Sequence, residues 1–281
     1  MVDDAHMRIT HIIRGEEHIV NTPKQILLYQ ACGYDVPLFA HLPLILGPSG
    51  EKLSKRDGAT SVVEYKQDGF LAQALCNYLV RLGWAYGDQE IFTMSEMIQH
   101  FSLSGVHRSG AQFDMEKLKW VNGQYVKQLT ADQIINLFMI DMGKDFVAQT
   151  PDWTDAQRVS WITLYQDRVG TLRVLYDLIL KAYFLPVSYD WESLHKLIAK
   201  DVVIILQLLQ QELSNAEFEK TKISAMVKDF CKTHDYKMAE ISQLLRFALI
   251  GSLSGPSVFD MMVLLGSKEV AKRISVMLTE L

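Results

Sequence analysis

Residues 71–83, LAQALCNYLVRLG, set the fold class of this chain. The apolar residues of this stretch recur at i, i+4, i+7, i+8 and i+11, which places them on one face of a helix. They are Leu71, Leu75, Tyr78, Leu79 and Leu82. Gly83 ends the pattern, as glycine commonly does after a last helical turn. The stretch predicts an amphipathic helix whose apolar face belongs to a core.

The same periodicity recurs through the rest of the chain, and strand patterns are almost absent after residue 92. Predicted helices cover residues 95–101, 114–121, 132–142, 155–169, 172–184, 190–213, 216–234, 237–249 and 268–281. Turn chemistry interrupts the pattern near Thr130 and Pro186. We therefore predict a mainly α fold with a small α/β portion at its start, divided into domains 1–60, 61–130, 131–185 and 186–281.

The first sixty residues have a different pattern. Residues 7–13, MRITHII, are rich in β-branched side chains and predict a short buried strand. A single strand cannot satisfy its own edges. It either pairs with a local hairpin or belongs to a sheet whose other strands lie outside this sequence, and we favour the second interpretation.

A helix and a turn are predicted after this strand. Thr22 and Pro23 favour a helix start, with Thr22 as the N-cap and Pro23 in the first helical position, and the helix runs to Gly33. Four Pro and Gly residues interrupt residues 37–50. They predict a strand or extended piece followed by an exposed turn over residues 47–50.

Composition excludes several classes of protein. The 281 residues are 49% hydrophobic and 22% charged, which suits a globular chain. No apolar run approaches the ~18 residues of a membrane span, and the acidic start lacks the pattern of a signal peptide. The three cysteines are far apart, which favours free thiols in a reducing cytosol. The net charge of −5 means that a polyanionic partner must be met by a local basic patch.

The strongest chemical motif is residues 52–58, KLSKRDG, which places three cations within five residues beside a Gly/Pro turn. Ammonium groups in such a turn can neutralise the oxygens of a triphosphate as charge develops on them. A basic run of this kind is also compatible with a solvated loop that binds nothing.

Residues 52–56 resemble the KMSKS signature of class I aminoacyl-tRNA synthetases, in the KLSKR form typical of glutamyl-tRNA synthetases. Residues 113–123, FDMEKLKWVNG, are similar to the later FD-x-x-KL-x-W-x-N block of that family. Further segments agree in register, and they are residues 7–18, 21–25, 41–46, 245–251 and 264–266. The resemblance covers essentially the whole chain.

The resemblance implies the C-terminal portion of a bacterial-type glutamyl-tRNA synthetase, without the N-terminal half that contains the HIGH motif. Residues 1–60 would be a remnant of the nucleotide-binding catalytic domain with its signature loop, and residues 61–130 a stem-contact domain. Residues 131–185 and 186–281 would be two helical anticodon-binding subdomains.

The resemblance also implies the roles of residues in the first domain. Lys52 and Lys55 would be catalytic, stabilising phosphate charge as glutamyl-adenylate forms. Arg14 would contact the substrate glutamate, because an arginine fork suits a carboxylate. The implied ATP-binding residues are Lys52, Leu53, Ser54, Lys55, Glu17, His18, Leu44 and Ile45. For Arg14 and Glu17, an ion pair at the end of the strand is the structural alternative. ATP would enter with Mg²⁺, and no metal held by the protein alone is predicted.

In the helical half, the resemblance implies that Arg168, Arg246, Pro256 and Val258 contact the anticodon of tRNA. Arg168 occupies the place of an arginine that reads the third anticodon base in glutamate-specific relatives. Alternatively, Arg168 is a surface arginine at the end of a helix, where it interacts with the helix dipole. Arg246 lies on an apolar helix face, where a guanidinium group requires a partner.

The function implied is ATP-dependent attachment of L-glutamate to tRNA(Glu) by a cytoplasmic monomer that does not bind membranes. Two alternatives stay open. One is a non-catalytic tRNA-binding module that uses the same helical surface. The other is a synthetase that also charges tRNA(Gln), against which Arg168 argues.

We expect this polypeptide alone to form no glutamyl-adenylate, because the resemblance assigns part of the adenylation site to residues outside it. The measurement is exchange of labelled pyrophosphate into ATP in the presence of glutamate. Exchange above that of a protein-free sample would contradict the expectation.

Overall fold

The computed structural model of the chain describes residues 1–53, 61–197, 202–214 and 216–281. These residues form two compact units, Met1–Leu129 with Gly170–Leu172, and Thr130–Val169 with Arg173–Leu281. Helices dominate and the strands are short, which confirms the mainly α fold class. Over the described ranges, no helix combines the length and the apolar character needed to cross a membrane. The finer division into four domains stays a prediction.

The first unit contains the strands. Its elements, over the described residues, are α1 (Val2–His6), β1 (His11–Gly15), a 3₁₀ turn (Glu16–Asn21), α2 (Thr22–Ala31), β2 (Leu38–Leu42), β3 (Ile45–Leu46), α3 (Val62–Gln67), α4 (Ala72–Gly83), α5 (Met94–His100), a second 3₁₀ turn (Leu103–Gly105), β4 (Ala111–Gln112) and α6 (Met115–Val126). They form two parallel two-stranded sheets, one of β1 with β2 and one of β3 with β4.

The predicted strand is displaced along the chain and less buried than expected. Residues 2–6 are helical and Arg8 adopts a left-handed conformation (φ 54°), so β1 begins only at His11. Ile13 is 49% exposed, which makes the prediction of a buried strand wrong.

The partner of β1 also differs from both interpretations of the sequence. It pairs in parallel with β2, with His11 opposite Leu38 and Gly15 opposite Leu42. A parallel partner requires a crossover, which α2 provides, so the local hairpin is wrong. We also predicted that the other strands of the β1 sheet lie outside this sequence. That prediction is wrong for the edge of β1 that pairs with β2.

The predicted N-cap of α2 is wrong. A 3₁₀ turn runs directly into α2, so the N-cap position is Asn21 and not Thr22. The Thr22 hydroxyl instead donates to the carbonyl oxygen of His18 at 3.2 Å. The extended pieces and turn predicted over residues 37–50 are confirmed as β2, β3 and a turn in which the Gly50 N–H donates to the Gly47 carbonyl oxygen at 3.0 Å.

Helices α4 and α6 pack together and organise the core of the first unit. Leu75 and Tyr78 are buried, as predicted for α4, whereas Leu79 is 42% exposed. Asn122 on α6 is fully buried and connects this helix to residues 69–71 and to Gly170. Its Oδ1 accepts from the Leu71 N–H at 2.7 Å, and its Nδ2 donates to the carbonyl oxygens of Gly69 and Gly170 at 3.3 and 2.7 Å.

Among the described residues of the second unit, the regular elements are all helices. Its elements are α7 (Ala131–Met142), α8 (Phe146–Gln149), α9 (Asp155–Gln166), α10 (Leu172–Tyr183, of which Leu172 belongs to the first unit), α11 (Trp191–Leu197), α12 (Val202–Ser214), α13 (Lys220–His234), α14 (Met238–Ile250) and α15 (Val258–Glu280). The last helix begins ten residues before the predicted start at Lys268, and it kinks at Gly266, where φ is 78°.

We expect Asn122→Ala to lower the free energy of unfolding of the first unit by about 2–4 kcal/mol, because it removes the partner of the Leu71 N–H and of the Gly170 carbonyl oxygen, whereas the Gly69 carbonyl oxygen still accepts from the Leu172 N–H. Denaturant unfolding followed by circular dichroism measures the change. Gln128→Ala, at an exposed position just after α6, is the control and should cost under ~0.5 kcal/mol. Equal losses in the two variants would show that the Asn122 network is not stabilising.

Candidate functional site

Arg14 is held in place by neutral side chains of α2. Its Nη2 donates to Thr22 Oγ1 at 2.8 Å and to Gln25 Oε1 at 2.7 Å. Its guanidinium carbon lies 5.3 Å from the centre of the Phe39 ring on β2, within the range of a cation–π contact. Over the described residues Arg14 forms no ion pair, so the alternative of a pair with Glu17 is wrong.

Thr22 fixes the hydrogen-bond directions around Arg14. The His18 carbonyl oxygen can only accept, so the Thr22 hydroxyl donates to it. The Thr22 oxygen accepts from Arg14 and lies 2.9 Å from His41 Nε2, where the tautomer of His41 decides which atom donates. Both Nη2 hydrogens of Arg14 are used, whereas its buried Nε has no partner among the described residues. This N–H is a donor that a bound anion can use.

Lys52 lies beside the 3₁₀ turn that contains Glu17. Its Nζ is 3.4 Å from Glu17 Oε1, and the two side chains are 61% and 42% exposed. The pKa of the Glu17 carboxyl is lowered by its own backbone N–H and then by Lys52. An ion pair this exposed contributes little to stability, so the ammonium group remains free to exchange partners.

The start of the basic segment is aligned with β3. Lys52 forms a backbone bridge to Leu46, and the Leu53 N–H donates to the Ile45 carbonyl oxygen at 2.9 Å. These bonds bring two predicted ATP-binding segments together. Ser54 and Lys55 lie outside the described residues, as does the rest of the segment up to residue 60.

The side chains of Leu44 and Ile45 line an apolar cavity of about 340 Å³, opposite Trp84 and Phe101. Glu17, His18 and Lys52 do not line this cavity, and the His18 side chain is exposed. The structure therefore places the predicted ATP-binding residues in two groups, one polar and one apolar, within the first unit.

A second candidate site lies in the second unit, where the end of α9 and α10 meet the loop of residues 251–257. A cavity of about 240 Å³, which we call the arginine cavity, lies between them. Its lining includes Tyr165, Arg168, Lys181, Ser252, Gly255 and Pro256. Arg168 and Pro256 were predicted from the sequence, and the structure brings them together.

Arg246 holds the loop that borders the arginine cavity. Its Nη1 donates to the Leu253 carbonyl oxygen at 2.9 Å and its Nε to that of Pro256 at 3.1 Å. A Cβ at Gly255 would lie 3.1 Å from Arg246 Cδ, so the close approach of the loop favours glycine there. Arg168 makes a longer contact of 3.5 Å from Nη1 to the Gly255 carbonyl oxygen.

The arginine cavity concentrates positive charge. Burial, and then the charge of Arg168, lower the pKa of Arg246 from its ordinary value. In the part of the chain that the structure describes, neither arginine forms an ion pair with a carboxylate. Burial raises the pKa of Tyr165 to about 12 although both arginines oppose the shift, so its hydroxyl is protonated at neutral pH. The surroundings suit a ligand with anionic groups or carbonyl oxygens.

The structure differs from the predicted anticodon site at two residues. Val258 is 2% exposed, so its side chain packs in the core and does not line the arginine cavity. Tyr165 was not predicted from the sequence. It lies in the last turn of α9, and the Arg168 N–H, in the turn that follows, donates to its carbonyl oxygen at 2.9 Å.

Two family models match the chain. Residues 1–120 match tRNA synthetases class I (E and Q), catalytic domain, and residues 116–278 match an anticodon binding domain. The chain therefore belongs to the class I tRNA synthetase family. It contains sequence of the catalytic domain of that family, followed by an anticodon-binding domain.

Its relatives are glutamate–tRNA ligases. The one from Lawsonia intracellularis is 41% identical over 279 residues, which are 98% of this chain and 59% of that protein. The one from Methylobacillus flagellatus is 40% identical over 277 residues, with shares of 98% and 58%. A crystal structure of a glutamate tRNA ligase from Elizabethkingia meningosepticum, in complex with its amino acid, has a TM-score of 0.82 and 32% identity, and the match covers 99% of this chain and 58% of that one. The chain thus spans under two thirds of these relatives and corresponds to their C-terminal portion.

Arg246→Met should lower the free energy of unfolding of the second unit by about 2–3 kcal/mol, because two carbonyl oxygens lose a charged donor. Arg168→Met should cost under ~0.5 kcal/mol, because Arg168 is exposed and makes one long contact. Denaturant unfolding of both variants tests the difference. Equal costs would mean that Arg246 does not hold the loop.

Proposed function

We propose that this chain is part of an ATP-dependent glutamate–tRNA ligase and that its second unit reads the anticodon of tRNA(Glu). The observation that carries the proposal is the arginine cavity, which Arg168 lines and whose loop Arg246 holds, because neither arginine has a carboxylate partner among the described residues. Sequence-specific RNA recognition targets unpaired loop bases, which can be splayed out and hydrogen-bonded along their edges. A small cationic cavity beside a loop of small residues suits such a base.

In the proposed reaction, a glutamate carboxylate oxygen attacks the α-phosphorus of ATP. A bond forms between these atoms while the bond from the α-phosphorus to the bridging oxygen breaks, and pyrophosphate leaves. Lys52 and Lys55 stabilise the phosphate charge that develops. The exposure of Lys52 and its long contact to Glu17 support this role for Lys52, because the ammonium group can exchange that carboxylate for phosphate.

Arg14 contacts the substrate glutamate in this proposal. Thr22 and Gln25 hold the guanidinium, and the buried, unpartnered Nε–H is available to a carboxylate. Glu17 and His18 lie on the ATP side with Lys52 and Leu53, and Leu44 and Ile45 contact the adenine. Mg²⁺ enters with ATP as part of the substrate.

We also propose a cytoplasmic monomer. The three cysteines are free, Cys32 and Cys76 being exposed and Cys231 buried, which suits a reducing compartment. For anticodon reading, the cavity and every group that we assign to it lie within the second unit, so no second copy of the chain is needed there.

We expect Arg168→Gln to reduce the preference for tRNA(Glu) over tRNA(Gln) about tenfold, because a good contact to a base edge discriminates by ~1–3 kcal/mol. Filter binding of the two transcripts to this chain at one fixed salt concentration measures the preference. Lys232→Gln removes a charge from an exposed position on α13 and is the matched control; it should change the two affinities equally.

The outcomes separate the hypotheses. An unchanged preference in the Arg168 variant would remove Arg168 from base reading. Equal affinity of the unmodified chain for both transcripts would favour a synthetase that also charges tRNA(Gln). No binding of either transcript would contradict the proposed role of the second unit.

A further inference from the structure

The Tyr165 hydroxyl is a polar group without a partner in the wall of the arginine cavity. The side chain lines the cavity and is 2% exposed, and its Oη is buried without a hydrogen bond among the described residues. Buried hydroxyl groups in folded proteins nearly always have a partner, because an unpaired one destabilises the folded state. Phenylalanine would fill the same space without that penalty.

Other tyrosines show what is distinctive about this position. The buried Tyr78 donates to the Asp114 carbonyl oxygen at 2.9 Å, and the half-buried Tyr125 donates to Asn77 Oδ1 at 2.8 Å. Tyr176 and Tyr189 also have buried hydroxyl groups without a partner among the described residues, but neither lines the arginine cavity. Tyr165 combines such a hydroxyl with a cavity wall that also includes Arg168.

The neighbouring charges decide whether the Tyr165 hydroxyl donates or accepts a hydrogen bond. The positive charges of Arg246, Arg168 and Arg273 all act on the Tyr165 hydroxyl, and of these residues Arg168 lines the same cavity. Hydroxyl dipoles orient in the local field, so the lone pairs turn towards the cations and the O–H turns away from them. The hydroxyl therefore acts as a donor, and its partner must be an acceptor such as a carbonyl oxygen.

The size of the cavity limits what supplies this acceptor. Its volume of about 240 Å³ is below the roughly 300–1,000 Å³ of cavities that enclose drug-sized ligands. A single nucleobase ring with exocyclic carbonyl oxygens suits both the volume and the positive surroundings. The enclosed hydroxyl is shielded from water, so a hydrogen bond made there does not compete with solvent.

We propose that Tyr165 is a specificity-determining residue whose hydroxyl donates to a carbonyl oxygen of the unpaired base that Arg168 contacts, the third base of the anticodon. The proposal rests on the proposed function and deepens it, because it adds a neutral hydrogen-bond donor to a site whose other proposed base contacts come from arginine side chains.

The test is Tyr165→Phe in the full chain, measured by binding of two transcripts. One is intact tRNA(Glu), and the other lacks the base at the third anticodon position. The variant should bind intact tRNA about five- to tenfold more weakly, the effect of losing one hydrogen bond. The variant and the unmodified chain should bind the abasic tRNA equally. Its Tm should be unchanged or higher, because the substitution removes an unpaired buried hydroxyl.

Tyr176→Phe is the matched control. It also removes a buried hydroxyl without a partner, so its Tm should behave in the same way, while its affinity for intact tRNA should stay that of the unmodified chain. A Tyr165 variant that binds intact tRNA as tightly as the unmodified chain would overturn the proposal. A lower Tm with equal losses on both transcripts would do so too, because it would mark a structural role.

Failure of the proposed function gives a different result. In that case the unmodified chain would bind neither transcript, whereas failure of the Tyr165 proposal alone would leave the affinity for intact tRNA high and insensitive to the substitution.

Discussion

The contact on which the candidate nucleic-acid site depends is that of Arg246 with the carbonyl oxygens of Leu253 and Pro256. Carbonyl oxygens solvate a guanidinium group without cancelling its charge, whereas a carboxylate would neutralise it. The same bonds therefore shape the loop and keep positive charge beside the arginine cavity. Gly255 is part of this constraint, since a side chain there would press on Arg246.

In the first unit, Arg14 is likewise held by neutral hydrogen-bond acceptors. Thr22 and Gln25 are neutral acceptors, so they fix the guanidinium and preserve its charge for an anionic ligand. Lys52 is placed differently, by the backbone bridge to Leu46, and its pair with Glu17 is exposed and weak. The cations that we propose to contact substrates are thus positioned by groups that compete little with phosphate or carboxylate.

Sequence periodicity was sufficient for most helices, because apolar spacing such as that of residues 71–83 reports directly which face is buried. It failed at β1, where β-branched residues suggested a strand from Met7. Helix α1 ends at His6, Arg8 after it is left-handed, and pairing with the distant β2 decides where the strand starts. Tyr165 could not be predicted for a related reason. Only the structure shows that it lines a cavity and that its hydroxyl has no partner among the described residues.

The overall charge of the chain explains why such local details matter for recognition. A net charge of −5 gives no general attraction to a polyanion. In the proposed function, phosphate contacts, which supply the salt-dependent and sequence-independent part of affinity, would come from local basic groups and not from the overall charge. Short-range contacts to base edges, which carry sequence information, would supply the selective part. On this proposal, a small cationic cavity with one well-placed donor would select a tRNA without a broad basic surface.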